Sequence, residues 1–282
     1  MYGSRRQQLL NKLGDGLLFL PTAPQTLRNG DVHHEFRPGS DLHYLTGFPE
    51  PEAILLAWRT GRDRHKSVLF VMPRNKEREI WDGPRHGVRG AVSRFRVDEA
   101  HDISEVWELL PKLLEGHDRL FYTLGDDDER DQRLMQELRK IAFERRRQNP
   151  PAHPTMEDPR PVVAAMRVIK DAEEIRLMEE AARISVAGHL RAMRVAKPGM
   201  SEYQVQAELE AEFRRQGSPR NGYPSIVASG PNACILHYVK NDRRMRRGDL
   251  LLLDAGAEHE QYTADITRTY PVDGTFTPPQ KA

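Results

Sequence analysis

Five prolines crowd the stretch between Asn149 and Pro161, at positions 150, 151, 154, 159 and 161. Each fixes φ and removes a backbone N–H, so neither a helix nor a central strand can run through the stretch. The chain must build its cores on either side. We expect one domain over residues 1–150, a linker over 151–161 and a second domain over 162–282. A length of 282 residues agrees with two domains at roughly 150 residues each. Hydrophobic residues make up 38% and glycines number 20, which is enough apolar material for real cores.

Composition then removes several classes. Mean hydropathy is −0.70, and apolar runs such as Leu250–Leu253 fall far short of the roughly 20 residues that cross a bilayer. No integral membrane protein is expected. Lys and Arg total 43 against 42 acidic residues, a net charge of +1, so no global field recruits nucleic acid. The runs Arg145–Arg147 and Arg243–Arg247 read as solvated faces, with no aromatic platform interleaved. A single cysteine excludes an internal disulfide and suits a reducing compartment. Asn11, Lys12 and Asp15 interrupt any apolar stretch after Arg5 and Arg6, so no signal peptide is read and a cytoplasmic location is expected.

The first domain alternates helical and extended patterns, an α/β signature. Strands are expected over 16–20, 53–58, 67–72 and 119–123, and helices over 6–13, from Asp102 to Leu114, and over 129–146. In the second, Asp171 with Glu174 forms a capping box for a helix to about Ala196, with Ile175, Met178, Ala182, Val186 and Met193 as its inner face. Ser201 with Gln204 caps another that buries Val205, Leu209 and Phe213 before Gly217. Strand patterns follow over 225–229, 233–239 and 250–270. Within 233–239, Cys234 and His237 would point to opposite faces, which makes Cys234 a buried, inert thiol rather than a nucleophile.

The stretch that carries chemistry is Leu250–Asp254-Ala-Gly256 followed by Tyr262-Thr-Ala-Asp265-Ile-Thr-Arg268. It reads as a hairpin. With His259-Glu260 as a two-residue tip, Asp254 would face Asp265 directly, about 4.5–5.5 Å away between Cβ atoms. Two carboxylates so placed repel unless one holds a proton or a cation sits between them. A tip one residue further on would undo that pairing. Arg268, on the other strand face, is expected in a structural ion pair. An oxygen-only pair of ligands would suit Mn²⁺, Mg²⁺ or Ca²⁺, whereas an ordinary solvated Asp pair needs no metal.

The block Gly248-Asp249-Leu250, Leu253-Asp254-Ala255-Gly256, Tyr262 and Asp265–Thr269 resembles the first metal-ligand block of the pita-bread metallopeptidases. Ser229–Asn232, Ile235–Tyr238, Arg37–Phe48, Pro51–Ala53 and Ile80-Trp81 extend the likeness, most of all to the Xaa-Pro aminopeptidases (aminopeptidase P). The fold this implies is an α/β chain: an N-terminal creatinase/aminopeptidase P-type domain, then the first part of an α+β pita-bread domain. The resemblance further implies that Asp254 chelates one Mn²⁺ and that Asp265 bridges two. His237 would be catalytic and, with Tyr223, would touch substrate. Asp41 and Trp81 would close the active site of a neighbouring subunit in a homodimer or homotetramer. The substrates implied are peptides with proline in second position.

The remaining family ligands, one His and two Glu, belong to motifs outside these 282 residues. Thr277-Pro-Pro-Gln280 is itself a capping box opening a helix. We therefore expect the N-terminal part of a longer enzyme, inactive alone. The rival readings are an Xaa-Pro dipeptidase and a metal-free pita-bread interaction module; the Arg37–Phe48 segment favours the aminopeptidases.

Overall fold

Leu17 and Phe19 point to one face of a strand and Leu18 and Leu20 to the other, and all four are buried. That period of two places the strand inside a sheet covered on both sides. The computed structural model describes residues 1–146 and 154–281. They divide into two units, Met1–Ile169 and Lys170–Ala282.

The first unit opens with α1 (Tyr2–Leu13) and β1 (Leu17–Pro21), followed by a ribbon of β2 (Leu27–Asn29) and β3 (Val32–His33) and by α2 (Ser40–Thr46). A hairpin of β4 (Ile54–Gly61) and β5 (Arg64–Val71) comes next, then α3 (Lys76–Asp82), α4 (Gly87–Phe95) and β6 (Glu99–Asp102). Asp102 and Glu105 form the expected capping box ahead of α5 (Val106–Leu114). After β7 (Arg119–Phe121), Asp127 caps α6 (Asp128–Arg145). The last elements are β8 (Thr155–Glu157) and α7 (Arg160–Val168). The sheet order is β6-β5-β4-β1-β7-β8. One of its two cores gathers Leu9, Leu18, Leu45, Leu55 and Val163; the other gathers Phe19, Phe70, Leu110, Leu134 and Leu138.

The division at Ile169 falls later than the proline run suggests. Of the expected linker, 151–153 lie outside the described residues. Residues 154–161 are not a connector: Thr155–Glu157 pairs parallel with β7, and Val163 of α7 is buried in the first core. Prolines 154 and 159 flank β8 without entering it. Pro161 sits in the first turn of α7, where its missing N–H costs nothing.

In the second unit, both capping boxes form and open α8 (Ala172–Val195) and α9 (Glu202–Arg215). The helices pack closely at Gly188, where a Cβ would lie 2.3 Å from Phe213 Cε1. Strands β9 (Arg220–Asn221), β10 (Ile226–Ser229), β11 (Leu250–Asp254), β12 (Ala257–His259), β13 (Tyr262–Thr263) and β14 (Thr267–Pro271) form two small sheets, β10-β11-β14 and β13-β12-β9. A short α10 (Pro278–Lys281) follows, with Gln280 accepting from the Thr277 N–H.

Three expectations fail here. Residues 233–239 are not a strand but the end of a 3₁₀ turn and a loop; only Tyr238 of their apolar residues is buried, and the loop takes no ladder partner. The inner face of α8 is not the Ile175–Met193 series. Leu177, Ala181, Ile184, Gly188 and Ala192 face the core, while Ile175, Met178, Val186 and Met193 are exposed. The stripe turned inward is the one that carries Gly188, because α9 lies so close there. Arg268 has no carboxylate partner among the described residues; its guanidinium donates to the carbonyl of Thr267.

Candidate metal centre

The hairpin tip is Glu260-Gln261, both at positive φ (47° and 71°). Two residues with φ above zero make the turn whose twist matches the flanking strands. His259 therefore pairs with Tyr262, and Asp254 pairs with Thr267 rather than with Asp265. Direct opposition of the two aspartates is thus corrected. Moving a turn by one residue shifts each partner by two, which changes partners but not faces. Asp265 remains on the face of Asp254 as its diagonal neighbour, a spacing of about 7–8 Å between backbones.

Between β11 and β12 the chain passes from one sheet to the other, and close contacts hold the passage. Gly256 has no room for a side chain: a Cβ there would sit 1.6 Å from the Ala264 carbonyl oxygen. Its own carbonyl accepts from the Gly222 N–H at 2.8 Å. From α8, Ser185 Oγ accepts from the Ala257 N–H at 2.8 Å, and His189 Nε2 lies 3.0 Å from the Ala255 carbonyl oxygen. Burial holds His189 below the usual histidine range, so the neutral tautomer with its proton on Nε2 fits that contact. Sequence reading missed both helix residues. Their spacing of four was a signal for one helix face, but nothing in the sequence aimed that face at the strand break.

Tyr223 completes the site. Its hydroxyl lies 2.5 Å from Asp254 Oδ1 and 3.1 Å from Asp265 Oδ1. Burial, and then the hydrogen bond to Asp254, push the phenol well above its ordinary value, so it stays a donor. One O–H proton faces two carboxylates. Donation goes to Asp254 by the shorter contact, which leaves an Asp265 oxygen against the phenol oxygen with no proton between them. This gap suits a proton or a cation, and the donor set, all oxygen, fits a hard divalent ion. Two carboxylates are half a site, however: among the described residues no group of three His, Cys, Asp or Glu side chains could hold a metal.

The other expected residues are spread out. His237 is exposed in the 230–243 loop and stands outside the Tyr223–Asp254–Asp265 trio. Cys234 is exposed rather than buried, because its segment is a turn and not a strand. In the first unit, Asp41 pairs with Arg167 at 2.6 Å. Trp81 is 84% exposed on α3, a helix with no buried residue. Among the described residues no helix is long and apolar enough to cross a membrane.

Residues 2–122 match the aminopeptidase P N-terminal domain, and residues 176–282 match metallopeptidase family M24. The chain belongs to the aminopeptidase P branch of family M24. This M24 chain is 41% identical over 280 residues to the Xaa-Pro aminopeptidase of Escherichia coli, covering 98% of its own length and 63% of that relative. It is 40% identical to the Xaa-Pro aminopeptidase of Haemophilus influenzae, covering 56% of it. Among solved structures, proline aminopeptidase P II from Yersinia pestis superposes with a TM-score of 0.93 at 40% identity, over 99% of this chain and 64% of that one. Zinc-substituted E. coli aminopeptidase P in complex with product matches equally well, at a TM-score of 0.93. The M24 chain thus spans about 63% of the length of its E. coli relative. Its fold is the aminopeptidase P N-terminal domain followed by part of the pita-bread domain.

Proposed function

We propose that the full-length protein is a Xaa-Pro aminopeptidase, removing the N-terminal residue that precedes proline, and that Asp254 and Asp265 help to hold two Mn²⁺ ions. The observation that carries this reading is the trio in which one phenol hydroxyl serves two carboxylates. The names of the E. coli and H. influenzae relatives support the activity. When bound, paired divalent ions activate water at neutral pH and polarise a carbonyl. Asp254, at the end of β11, and Asp265, just before β14, supply negative oxygens on one side of the hairpin, and Tyr223 keeps them oriented. The exposed His237 imidazole is free to hydrogen-bond a bound peptide. A bond to proline is a tertiary amide with no N–H, so recognition falls to the ring and the carbonyls on either side.

In this reading, ligands beyond residues 1–282 complete the site, and the 282-residue chain alone is inactive. Asp41 and Trp81 close a neighbouring subunit's site in a homodimer or homotetramer, and the protein works in the cytoplasm. The test is hydrolysis by the full-length protein of Xaa-Pro-Yaa and Xaa-Ala-Yaa peptides, with metal content measured on the purified enzyme. Cleavage of the proline peptides alone is expected; equal cleavage of both, or activity without divalent metal, refutes the reading.

A further inference from the structure

Glu202, the first residue of α9, is fully buried. Its carboxylate accepts from the Ser229 N–H at 2.6 Å and Ser229 Oγ at 2.7 Å. It also accepts from Asn232 Nδ2 at 3.3 Å, the Tyr238 hydroxyl at 2.7 Å and the Arg243 N–H at 2.9 Å. Each of these donors is a neutral group. A carboxylate in such a place is costly unless its acceptor sites are filled, and here the donors that fill them all come from one stretch of chain, 229–243. Ser229 and Asn232 are its entry, Arg243 its exit and Tyr238 its middle.

Between Ile235 and Lys240 that stretch is otherwise loosely held. Ile235, Leu236, His237 and Val239 are all exposed, Leu236 at 90%. Tyr238 is 7% exposed, the one inward anchor between Ile235 and Lys240. Its hydroxyl donates to Glu202 and accepts from Asn232 Nδ2 at 2.8 Å and from the Asp242 N–H at 3.3 Å. Asn241 fixes the far limb by donating to the Ser225 carbonyl and accepting from the Val227 N–H. Among the described residues His237 has no hydrogen-bond or ion-pair partner, so its Cα is placed by the residue that follows it.

We propose that Glu202, acting through the Tyr238 hydroxyl, positions His237 over the peptide-binding side of the site. The inference rests on the reading of His237 as a substrate contact. Glu202 and Tyr238 touch no substrate; they act through the loop. Without the tether, the ring of Tyr238 still packs, but the loop gains freedom and His237 leaves its place for part of the time.

The experiment is a double-mutant cycle in the full-length enzyme, with kcat/KM for an Xaa-Pro-Yaa peptide, bound metal and melting temperature read for each protein. Tyr238→Phe deletes one oxygen from a hydrogen bond to a charged group and is expected to lower kcat/KM about tenfold with metal content unchanged. In a His237→Ala background the same change is expected to cost nothing further, because there is no longer an imidazole to position. A merely structural role would lower activity by the same factor in both backgrounds. Equal losses in the two backgrounds, or a fully active Tyr238→Phe, overturn the positioning role while leaving His237 as a contact. A fully active His237→Ala overturns both. Glu202→Gln is the companion variant; if it folds, its loss too must vanish in the His237→Ala background.

Discussion

Asp265 and Asp254 share a hydroxyl but not a hydrogen bond, and that imbalance makes a residue-scale prediction. Asp265→Asn keeps the shape and supplies an N–H₂ donor where a second negative oxygen stood. It should abolish peptidase activity in the full-length enzyme and raise the melting temperature of the metal-free protein in EDTA. The gain should be under about 1 kcal/mol, because Asp265 is exposed and water screens the repulsion. Tyr223→Phe should do the reverse, lowering metal-free stability by about 1–3 kcal/mol by leaving half-buried Asp254 without its donor. A fall in the first variant would mean that the carboxylates do not repel one another, and no change in the second that the hydroxyl does not stabilise Asp254. Calorimetry on the 282-residue chain should show weak Mn²⁺ binding; tight binding of two ions would contradict an incomplete site. His237→Ala should cut turnover while retaining metal, and parallel loss of both would place the imidazole on the ions instead. Asp254 stood out in the sequence because it ends the apolar run Leu250–Leu253. Asp265 stood out by its place on the returning limb of the hairpin, although it lies between β13 and β14 rather than in a strand. Their exact pairing was not legible: a Glu-Gln pair at positive φ carries no turn signal of the Asn-Gly kind.

At the scale of elements, caps were the most legible feature and faces the least. Asp102–Glu105, Asp171–Glu174 and Ser201–Gln204 all close as boxes, because an N-cap is decided by residues three apart in sequence. The inward face of α8 is decided by α9, which the sequence does not place. Phe213 lies where a β-carbon on residue 188 would be, so the face that carries Gly188 packs inward and the Ile175–Met193 series is left outside. Two measurements check this orientation. Gly188→Ala should destabilise by about 1–3 kcal/mol through overpacking, and Ile184→Ala by about 2–5 kcal/mol through a cavity. Val186→Lys, on the exposed series, should stay within about 0.5 kcal/mol of the parent in urea melts. A large loss from Val186→Lys would restore the face read from sequence. The 233–239 segment was misread for a related reason: its apolar residues cluster without a partner strand, and only the Tyr238 hydroxyl finds a buried acceptor.

At the scale of the whole molecule, the described residues of the first unit hold no group of three metal-ligating side chains, and Trp81 stands 84% exposed on it. If that tryptophan serves a neighbouring copy, light scattering on the full-length protein should show a dimer or larger, and a strictly monomeric, fully active enzyme at micromolar concentration would exclude that role. The route of the chain after α6 has a separate, practical consequence. It comes back to lay β8 beside β7 and to seat Val163 in the first core before leaving for good. A gene fragment ending at residue 150 would therefore express a sheet with β7 as a raw edge and a hole where α7 belongs, the kind of product that goes to inclusion bodies. Ending after Ile169 keeps both. That is where a recombinant first unit should be cut, and the soluble yields of the two fragments should differ accordingly.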